Sequence, residues 1–166
     1  MNKLIFTGPE SSGKTTLSTA IAKKFNLPLV PEYSRIYLKA INRNYVYSDL
    51  LKIAKEQLKL EKRYNKKDLL VCDTNLQVIK VWSIVKYGKC DSFILENQDQ
   101  QANYILCCPD FEWEYDPLRE NPHNQMELFE KYHSDLVKNN YNFTIAQGRH
   151  EQRLSLVEKI IKQLML

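Results

Sequence analysis

Residues 8–15 read GPESSGKT, and this stretch decides the fold of the chain. It matches the pattern GxxxxGK[ST] at every fixed position, follows the apolar run Leu4 to Thr7, and opens an amphipathic segment. Its two glycines let the backbone curl without Cβ clashes, so that successive N–H groups and the positive end of a helix face an anion. The pattern predicts a phosphate-binding loop (P-loop) between a strand and a helix.

The residues of the P-loop have separate expected tasks. Lys14 is expected to reach the β and γ phosphates of ATP, and the Thr15 hydroxyl to bind Mg²⁺. The predicted nucleotide-binding residues are Gly8, Pro9, Glu10, Ser11, Ser12, Gly13, Lys14, Thr15 and Thr16. A glycine turn that only caps a helix is the alternative, and the flanking strand and helix patterns favour phosphate binding instead.

Beyond the P-loop, short apolar runs alternate with longer segments of helical period, as is typical of an α/β domain. The predicted strands are Leu4–Thr7, Leu29–Val30, Leu69–Cys72, Tyr104–Cys107 and Phe143–Ala146. The predicted helices are Lys14–Phe25, Ser34–Ile41, Ser48–Tyr64, Asn75–Tyr87, Asn124–Lys138 and Glu151–Leu164. We therefore predict one P-loop NTPase domain over residues 1–166, with a doubly wound five-stranded parallel sheet flanked by helices.

Composition narrows the class of protein. Charged residues make up 27% and hydrophobic residues 43% of 166 residues, which is the balance of a soluble globular domain. No apolar run is long enough to span a bilayer and no cleavable leader opens the chain, so we expect a cytoplasmic protein. The four cysteines form no CxxC pair and are expected to be reduced thiols.

The net charge of +4 comes largely from a lysine-rich segment between residues 52 and 67. Its lysines recur at helical spacing, at positions 52, 55, 59 and 62. This spacing favours a solvated helix surface over a nucleic-acid-binding face.

Asp73 ends the apolar run at residues 69–72, where a carboxylate would emerge beside the P-loop if the two strands are neighbours. Such a group holds Mg²⁺ directly or through water, and can accept the proton of an attacking hydroxyl. We assign Asp73 to these metal-binding and catalytic roles. The alternative is an aspartate that caps the following helix.

Residues 65–68 spell NKKD, which matches the guanine-reading pattern NKxD. The match is in the wrong context, since it precedes Asp73 and no glycine stands three residues after Asp73, where Leu76 lies. A hexameric motor would need more chain for a helical lid subdomain. These exclusions favour a compact kinase or a small ATP-dependent switch.

The segment from about residue 109 to residue 124 carries three prolines and mixed charges. It is too long for an ordinary strand-to-helix connection, and long loops in compact domains often cover active sites. We predict a lid loop there.

Four segments together resemble a known family: GPESSGKTTL at 8–17, PEYSR at 31–35, VCDTN at 71–75, and residues 113–121. They are similar to the ribosylnicotinamide kinase domain of NadR-type proteins and its stand-alone relatives, and the resemblance extends over nearly the whole chain. It implies transfer of the γ phosphate of ATP to the 5′ hydroxyl of nicotinamide riboside. It also implies a fold like that of nucleoside monophosphate kinases.

The resemblance implies an acceptor site composed of Glu32, Tyr33, Arg35, Asp73 and Trp113. Glu32 can accept ribose hydroxyls and Arg35 can fork onto phosphate or carbonyl oxygens, although the two could also form a structural ion pair. Tyr33 and Trp113 could stack on a ring or serve in core or lid packing.

Arg119 resembles a lid arginine that neutralises transition-state charge, a catalytic role; a surface arginine is the alternative. The family often carries a second lid arginine, where this chain has Gln125 and Met126.

Gly148 follows the fifth strand, where this fold usually cradles adenine, and its backbone is expected to read the base edge. The three histidines (His123, His133 and His150) show no metal spacing, and we assign them no chemistry. We expect a small nucleoside as acceptor. A nucleotide-binding regulator, or a kinase for another nucleoside or small alcohol, stays open as an alternative.

Overall fold

The computed structural model describes residues 2–64, 69–111, 117 and 123–165. Its strands are β1 (Asn2–Thr7), β2 (Leu29–Val30), β3 (Leu69–Cys72), β4 (Asn103–Cys107) and β5 (Asn142–Ala146). Its helices are α1 (Lys14–Phe25), α2 (Tyr33–Ala40), α3 (Tyr47–Arg63), α4 (Leu76–Tyr87), α5 (Ser92–Glu96), α6 (Gln125–Lys138) and α7 (His150–Leu164). Every predicted strand and helix is present, with ends that agree to within two residues.

The strands form a single parallel sheet in the order β2-β3-β1-β4-β5. Ile5 of β1 pairs with Cys72 of β3, so the P-loop after β1 and Asp73 after β3 leave the sheet side by side. The chain after β1 leads toward β2, whereas the chain after β3 crosses to β4 on the other side of β1. This reversal creates the crevice at the carboxyl ends of the strands where such sheets bind ligands.

Helices cover both faces of the sheet and form the hydrophobic core with it. Side chains of β1 and β3 are buried on both faces, as expected for central parallel strands. On one face, Leu4 and Phe6 pack with α1 and α7. On the other face, Ile5 and Leu70 pack with α4 and α6. The predicted doubly wound arrangement is confirmed.

Helix α5 is the element that sequence patterning missed. Asp91 caps it by accepting a hydrogen bond from the Phe93 backbone N–H at 2.9 Å, and Ile94 is buried against the α3 and α4 cluster. A five-residue helix shows too little periodicity to be recognised.

Within the described part of the chain, no helix combines the length and apolar character needed to cross a membrane. The four cysteines are free thiols, and Cys72 and Cys107 are buried while Cys90 and Cys108 are partly buried.

Candidate nucleotide and acceptor site

The P-loop takes the curled conformation that its glycines permit. Gly8 and Gly13 have φ angles of 128° and 82°, which side-chain-bearing residues rarely adopt. A Cβ atom on Gly8 would lie 2.7 Å from the backbone oxygen of Cys107. The loop therefore passes against the end of β4 so closely that only glycine fits at position 8.

Lys14 lies over the P-loop at the first turn of α1. Its Nζ donates hydrogen bonds to the Gly8 and Pro9 carbonyl oxygens at 3.0 and 2.6 Å. No side chain caps the start of α1, and its first turn contains no acidic residue. The positive end of the helix and the lysine ammonium thus face the same space, which suits an anionic ligand.

Asp73 is buried directly behind this loop, with 4% of its surface exposed. Burial raises the pKa of its carboxyl to about 6, and the nearby negative charge of Glu32 acts in the same direction. Hydrogen bonds with Thr15 and Ser18 and the charge of Lys14 oppose that rise in pKa. The helix-cap alternative does not apply, because Asn75 caps α4 by accepting from the Gln77 N–H at 2.9 Å.

The donor set around Asp73 fits a magnesium ion. Its Oδ1 atom is buried and has no hydrogen-bond partner among the described residues, and the Thr15 hydroxyl is adjacent. Mg²⁺ prefers such hard oxygen ligands and usually takes only one or two from the protein, with the rest from water and phosphate. Thr15 and Asp73 would hold the ion.

A cavity of about 380 Å³ opens from the P-loop. Its lining contains the whole P-loop with Thr16, and further residues from α2, α4, α6, α7 and the chain after β4. The predicted residues Glu32 and Arg35 also line it. Asp73 lies beneath the wall, and Tyr33 and Gly148 do not contribute to it. The residues beyond the P-loop and Thr16 are Leu17, Glu32, Ser34, Arg35, Leu38, Val78, Val81, Trp82, Val85, Phe111, Leu128, Tyr132, His150 and Arg153.

Glu32 and Arg35 form the ion pair that sequence reasoning considered, with 3.4 Å between Glu32 Oε2 and Arg35 Nε. Glu32 Oε1 also accepts a hydrogen bond from the Ser34 hydroxyl at 2.7 Å. Both side chains are partly exposed and line the cavity, so the pair leaves them accessible to a ligand. The structural and the functional interpretation are compatible here.

Tyr33 lies outside the cavity lining. Its ring packs near Tyr37, with 6.4 Å between ring centroids, against the apolar cluster of α3 and α4. Its backbone N–H donates to Gln57 Oε1 at 2.9 Å. The contacts of Tyr33 match the packing role that the sequence left open, and its stacking on an acceptor ring stays a prediction.

Gly148 also lies outside the cavity lining. Its N–H donates to Asp110 Oδ2 at 2.6 Å, and its carbonyl accepts from Arg153 Nε at 2.9 Å. Both backbone groups of Gly148 thus have partners inside the protein, and its contact with a nucleotide base stays a prediction. His150, to which we assigned no chemistry, does line the cavity.

Arg153 is a site residue to which the sequence analysis assigned no role. It is 1% exposed, and it donates to the carbonyl oxygens of Ser12 and Cys108 at 2.8 Å each. It also pairs with Asp110, and its guanidinium carbon lies 4.2 Å from the Phe111 ring centroid. One buried cation thus ties the P-loop to the ends of β4 and β5.

Gln125 provides a second link to the P-loop. Its Nε2 donates to the Glu10 carbonyl oxygen at 2.9 Å, so the first residue of α6 contacts the loop although 115 positions separate the two. Met126, beside it, is 54% exposed.

Three predictions lie outside the described residues. They are Arg119 as a lid arginine, Trp113 as a stacking residue, and most of the lid at 109–124. The NKKD segment at 65–68 also lies outside them.

The strand order, the curled P-loop after β1 and the buried carboxylate after β3 define the class: this is a P-loop nucleotide-binding α/β protein. The chain belongs to the AAA domain family, whose model matches residues 3–153. A comparison with curated proteins gave no significant match.

Solved structures agree with this fold. A NadR protein in complex with NR is 18% identical with a TM-score of 0.77, and the match covers 99% of this chain and 52% of that protein. Deoxyadenosine kinase from M. mycoides is 15% identical with a TM-score of 0.72, covering 97% and 99%. Thymidylate kinase from Ehrlichia chaffeensis is 17% identical with a TM-score of 0.64, covering 95% and 97%.

The chain spans about half the length of the NadR proteins that it matches. At these identities the similarity shows a shared fold. The resemblance to NadR that the sequence motifs predicted is confirmed at that level.

Proposed function

We propose that this chain is a magnesium- and ATP-dependent kinase that phosphorylates a hydroxyl group of a small molecule. The observation that carries the proposal is the continuity of the cavity. It extends from the P-loop to a wall formed by α2 and α4, with the unpartnered oxygen of Asp73 buried behind Thr15. A triphosphate and a second small substrate could occupy this space together.

Catalysis in this proposal depends on positioning and on neutralising charge, as is general for phosphoryl transfer. The P-loop N–H groups and Lys14 hold the β and γ phosphates. Magnesium, when bound at Thr15 and Asp73, supplies positive charge next to the phosphate oxygens. Arg119 is proposed to add a further positive charge from the lid.

The two carboxylates near the cavity have different proposed tasks. Asp73 is buried and its pKa of about 6 suits a group that exchanges a proton near neutral pH, so it orients or deprotonates the attacking hydroxyl. Glu32 lines the cavity beside Arg35, and we assign this pair to other polar groups of the acceptor.

Nicotinamide riboside is the first acceptor to test. Support comes from the sequence motifs at 8–17, 31–35 and 71–75 and from the shared fold with a NadR protein in complex with NR. Kinases named for deoxyadenosine and thymidylate share the fold as well, so other nucleosides belong in the same panel. The proposed reaction is one of cytoplasmic small-molecule metabolism.

The test measures ADP release and product mass with Mg²⁺, ATP and a panel of nicotinamide riboside, deoxyadenosine, thymidine and pantothenate. Lys14→Ala is the control, because it removes the phosphate-binding ammonium. We expect turnover that depends on one acceptor and is lost in the control. Turnover no higher than in Lys14→Ala with every acceptor contradicts the proposal, and tight ATP binding without turnover supports a nucleotide-binding regulator.

A further inference from the structure

Besides His150, three aromatic side chains among the described residues line the cavity: Trp82, Phe111 and Tyr132. Phe111 lies on the Arg153 guanidinium at the α7 side, close to Gly13. Tyr132 is 6% exposed and belongs to the core under the sheet. Trp82 belongs to α4, which covers the opposite face of the sheet from α7. It is therefore the aromatic residue on the α4 wall of the cavity.

Trp82 is set back from the reacting end of the cavity. Helix α4 begins at Leu76, three residues after Asp73, and Trp82 lies six residues further, or about 9 Å along the helix axis. The same face of α4 contributes Val78, Val81 and Val85 to the lining. An axial offset of this size is comparable with the length of one sugar ring between a reacting hydroxyl and a flat group.

The orientation of Trp82 is fixed by its neighbours. Its Nε1 donates to the Tyr45 phenol oxygen at 2.8 Å, and the two rings meet edge to face with 4.8 Å between centroids. Lys86 Nζ lies 3.8 Å from the Tyr45 ring centroid. The loop that carries Tyr45 is anchored in turn by the buried Asp49, which accepts two hydrogen bonds from Arg43.

A side chain held in this way loses little conformational freedom when a ligand contacts it. Its hydrogen-bonding group is already satisfied, so what Trp82 offers to the cavity is aromatic surface. Stacking on such a surface tolerates many rings, because every planar heterocycle has a π face.

We infer that Trp82 is the platform on which a planar ring of the phosphoryl acceptor stacks, and that Tyr45 is the residue that positions it. The inference rests on the proposed kinase function and deepens it. The acceptor class is an alcohol that carries a flat ring about one sugar away from the reacting hydroxyl. Bare sugars and open-chain alcohols lack the group that Trp82 binds.

The test is calorimetric titration of acceptors into protein saturated with Mg²⁺ and a non-hydrolysable ATP analogue. Nicotinamide riboside, deoxyadenosine and thymidine are the ring-bearing probes, and ribose is the ring-less one. We expect at least one ring-bearing probe to bind wild-type protein more tightly than ribose. For that probe, Trp82→Leu raises Kd about ten- to a hundredfold, whereas Trp82→Phe keeps most of the affinity.

Tyr45→Phe removes the oxygen that accepts from both Trp82 and Lys86, and it should raise the same Kd by about two- to tenfold. Ile84→Ala, on the same helix and 47% exposed, is the matched control and should change nothing. The Kd of the ATP analogue reports correct folding, and it should stay constant in all variants.

Binding and turnover separate the two proposals. Ring-selective binding that depends on Trp82, without any turnover, upholds Trp82 as a ring-binding platform but rejects the kinase, and with it the identification of the ligand as a phosphoryl acceptor. Turnover of a ring-bearing acceptor with Kd and KM unchanged in Trp82→Leu overturns the platform alone. Failure of every ring-bearing probe to bind more tightly than ribose also overturns it.

Discussion

Replacing Asp73 with asparagine should stabilise the protein at neutral pH while abolishing its activity. The carboxyl has a folded-state pKa of about 6 in place of 3.8, chiefly because it is buried. A group whose pKa is raised on folding contributes stability below its unfolded pKa, and that stability is lost as pH rises through the folded pKa. Ionised Asp73 therefore destabilises the fold at pH 8, by about 3 kcal/mol.

Asparagine has the same shape, can still accept from Thr15 and Ser18, and cannot ionise. The free energy of unfolding of the variant should exceed that of wild type by about 3 kcal/mol at pH 8, which corresponds to a rise in Tm of about 6 to 12 °C for a chain of this size. At pH 4 the gain should fall below about 1 kcal/mol. Aspartate at position 73 lowers the free energy of unfolding, and in this account it is retained because the reaction needs it.

The assay is urea unfolding of wild type and Asp73→Asn between pH 4 and pH 8, with EDTA and without nucleotide. Asp49→Asn is the matched control, because Asp49 is also buried but Arg43 holds its pKa below the usual range. The ionised Asp49 carboxylate stabilises the fold above its unfolded pKa, and this stabilisation is lost as pH falls. The Asp49→Asn variant should therefore be less stable than wild type at pH 8. The reasoning is refuted if Asp73→Asn is less stable than wild type at pH 8, or if the difference does not vary with pH.

Three further variants test the conformation of the P-loop and the contacts that hold it. Gly8→Ala places a Cβ 2.7 Å from the Cys107 backbone oxygen, at a φ of 128° that alanine rarely adopts. Thermal melts should show a free energy of unfolding lower by about 2 kcal/mol or more, and titration should show no ATP binding. A variant that is as stable as wild type and binds ATP contradicts this prediction. Arg153→Ala leaves buried groups unpaired and should cost about 3 to 5 kcal/mol in urea unfolding, and a loss below 1 kcal/mol is incompatible with its buried contacts. Gln125→Ala removes the hydrogen bond to Glu10 and should raise the Kd of ATP about two- to tenfold without lowering Tm, whereas an unchanged Kd shows that the contact is incidental.

The parts of this fold that were predictable from sequence depend on local patterns. The residues of β3 are all apolar because both faces of a central strand are buried. The P-loop is recognisable because its glycines, lysine and threonine must stand at fixed spacing to surround a phosphate. The position of Asp73 beside the P-loop was predictable as well, because Asp73 directly follows β3 and β3 pairs with β1.

The parts that were missed depend on contacts between distant segments. Arg153 contacts Ser12 across 141 positions. The sequence carried one signal, since Arg153 shares a helix face with the buried residues Val157 and Ile161. A cation on an apolar stripe needs buried partners, but the sequence does not say which.

Tyr33 and Gly148 lie outside the cavity lining for a similar reason. Tyr33 lies between Glu32 and Arg35 in sequence, but neighbouring helix positions point in different directions, so its ring packs against α3. Gly148 was expected to face a base because it follows β5, yet Asp110 and Arg153 already engage its backbone. Nothing local to either residue reveals these partners.

A crystal structure with a non-hydrolysable ATP analogue and Mg²⁺ tests the central claim most directly. The account predicts the β and γ phosphates within the N–H groups of residues 8–15, with the metal ion on the Thr15 hydroxyl and no further than one water molecule from the Asp73 carboxylate. A nucleotide bound elsewhere, or a metal ion with no direct or water-mediated contact to Asp73, would contradict it.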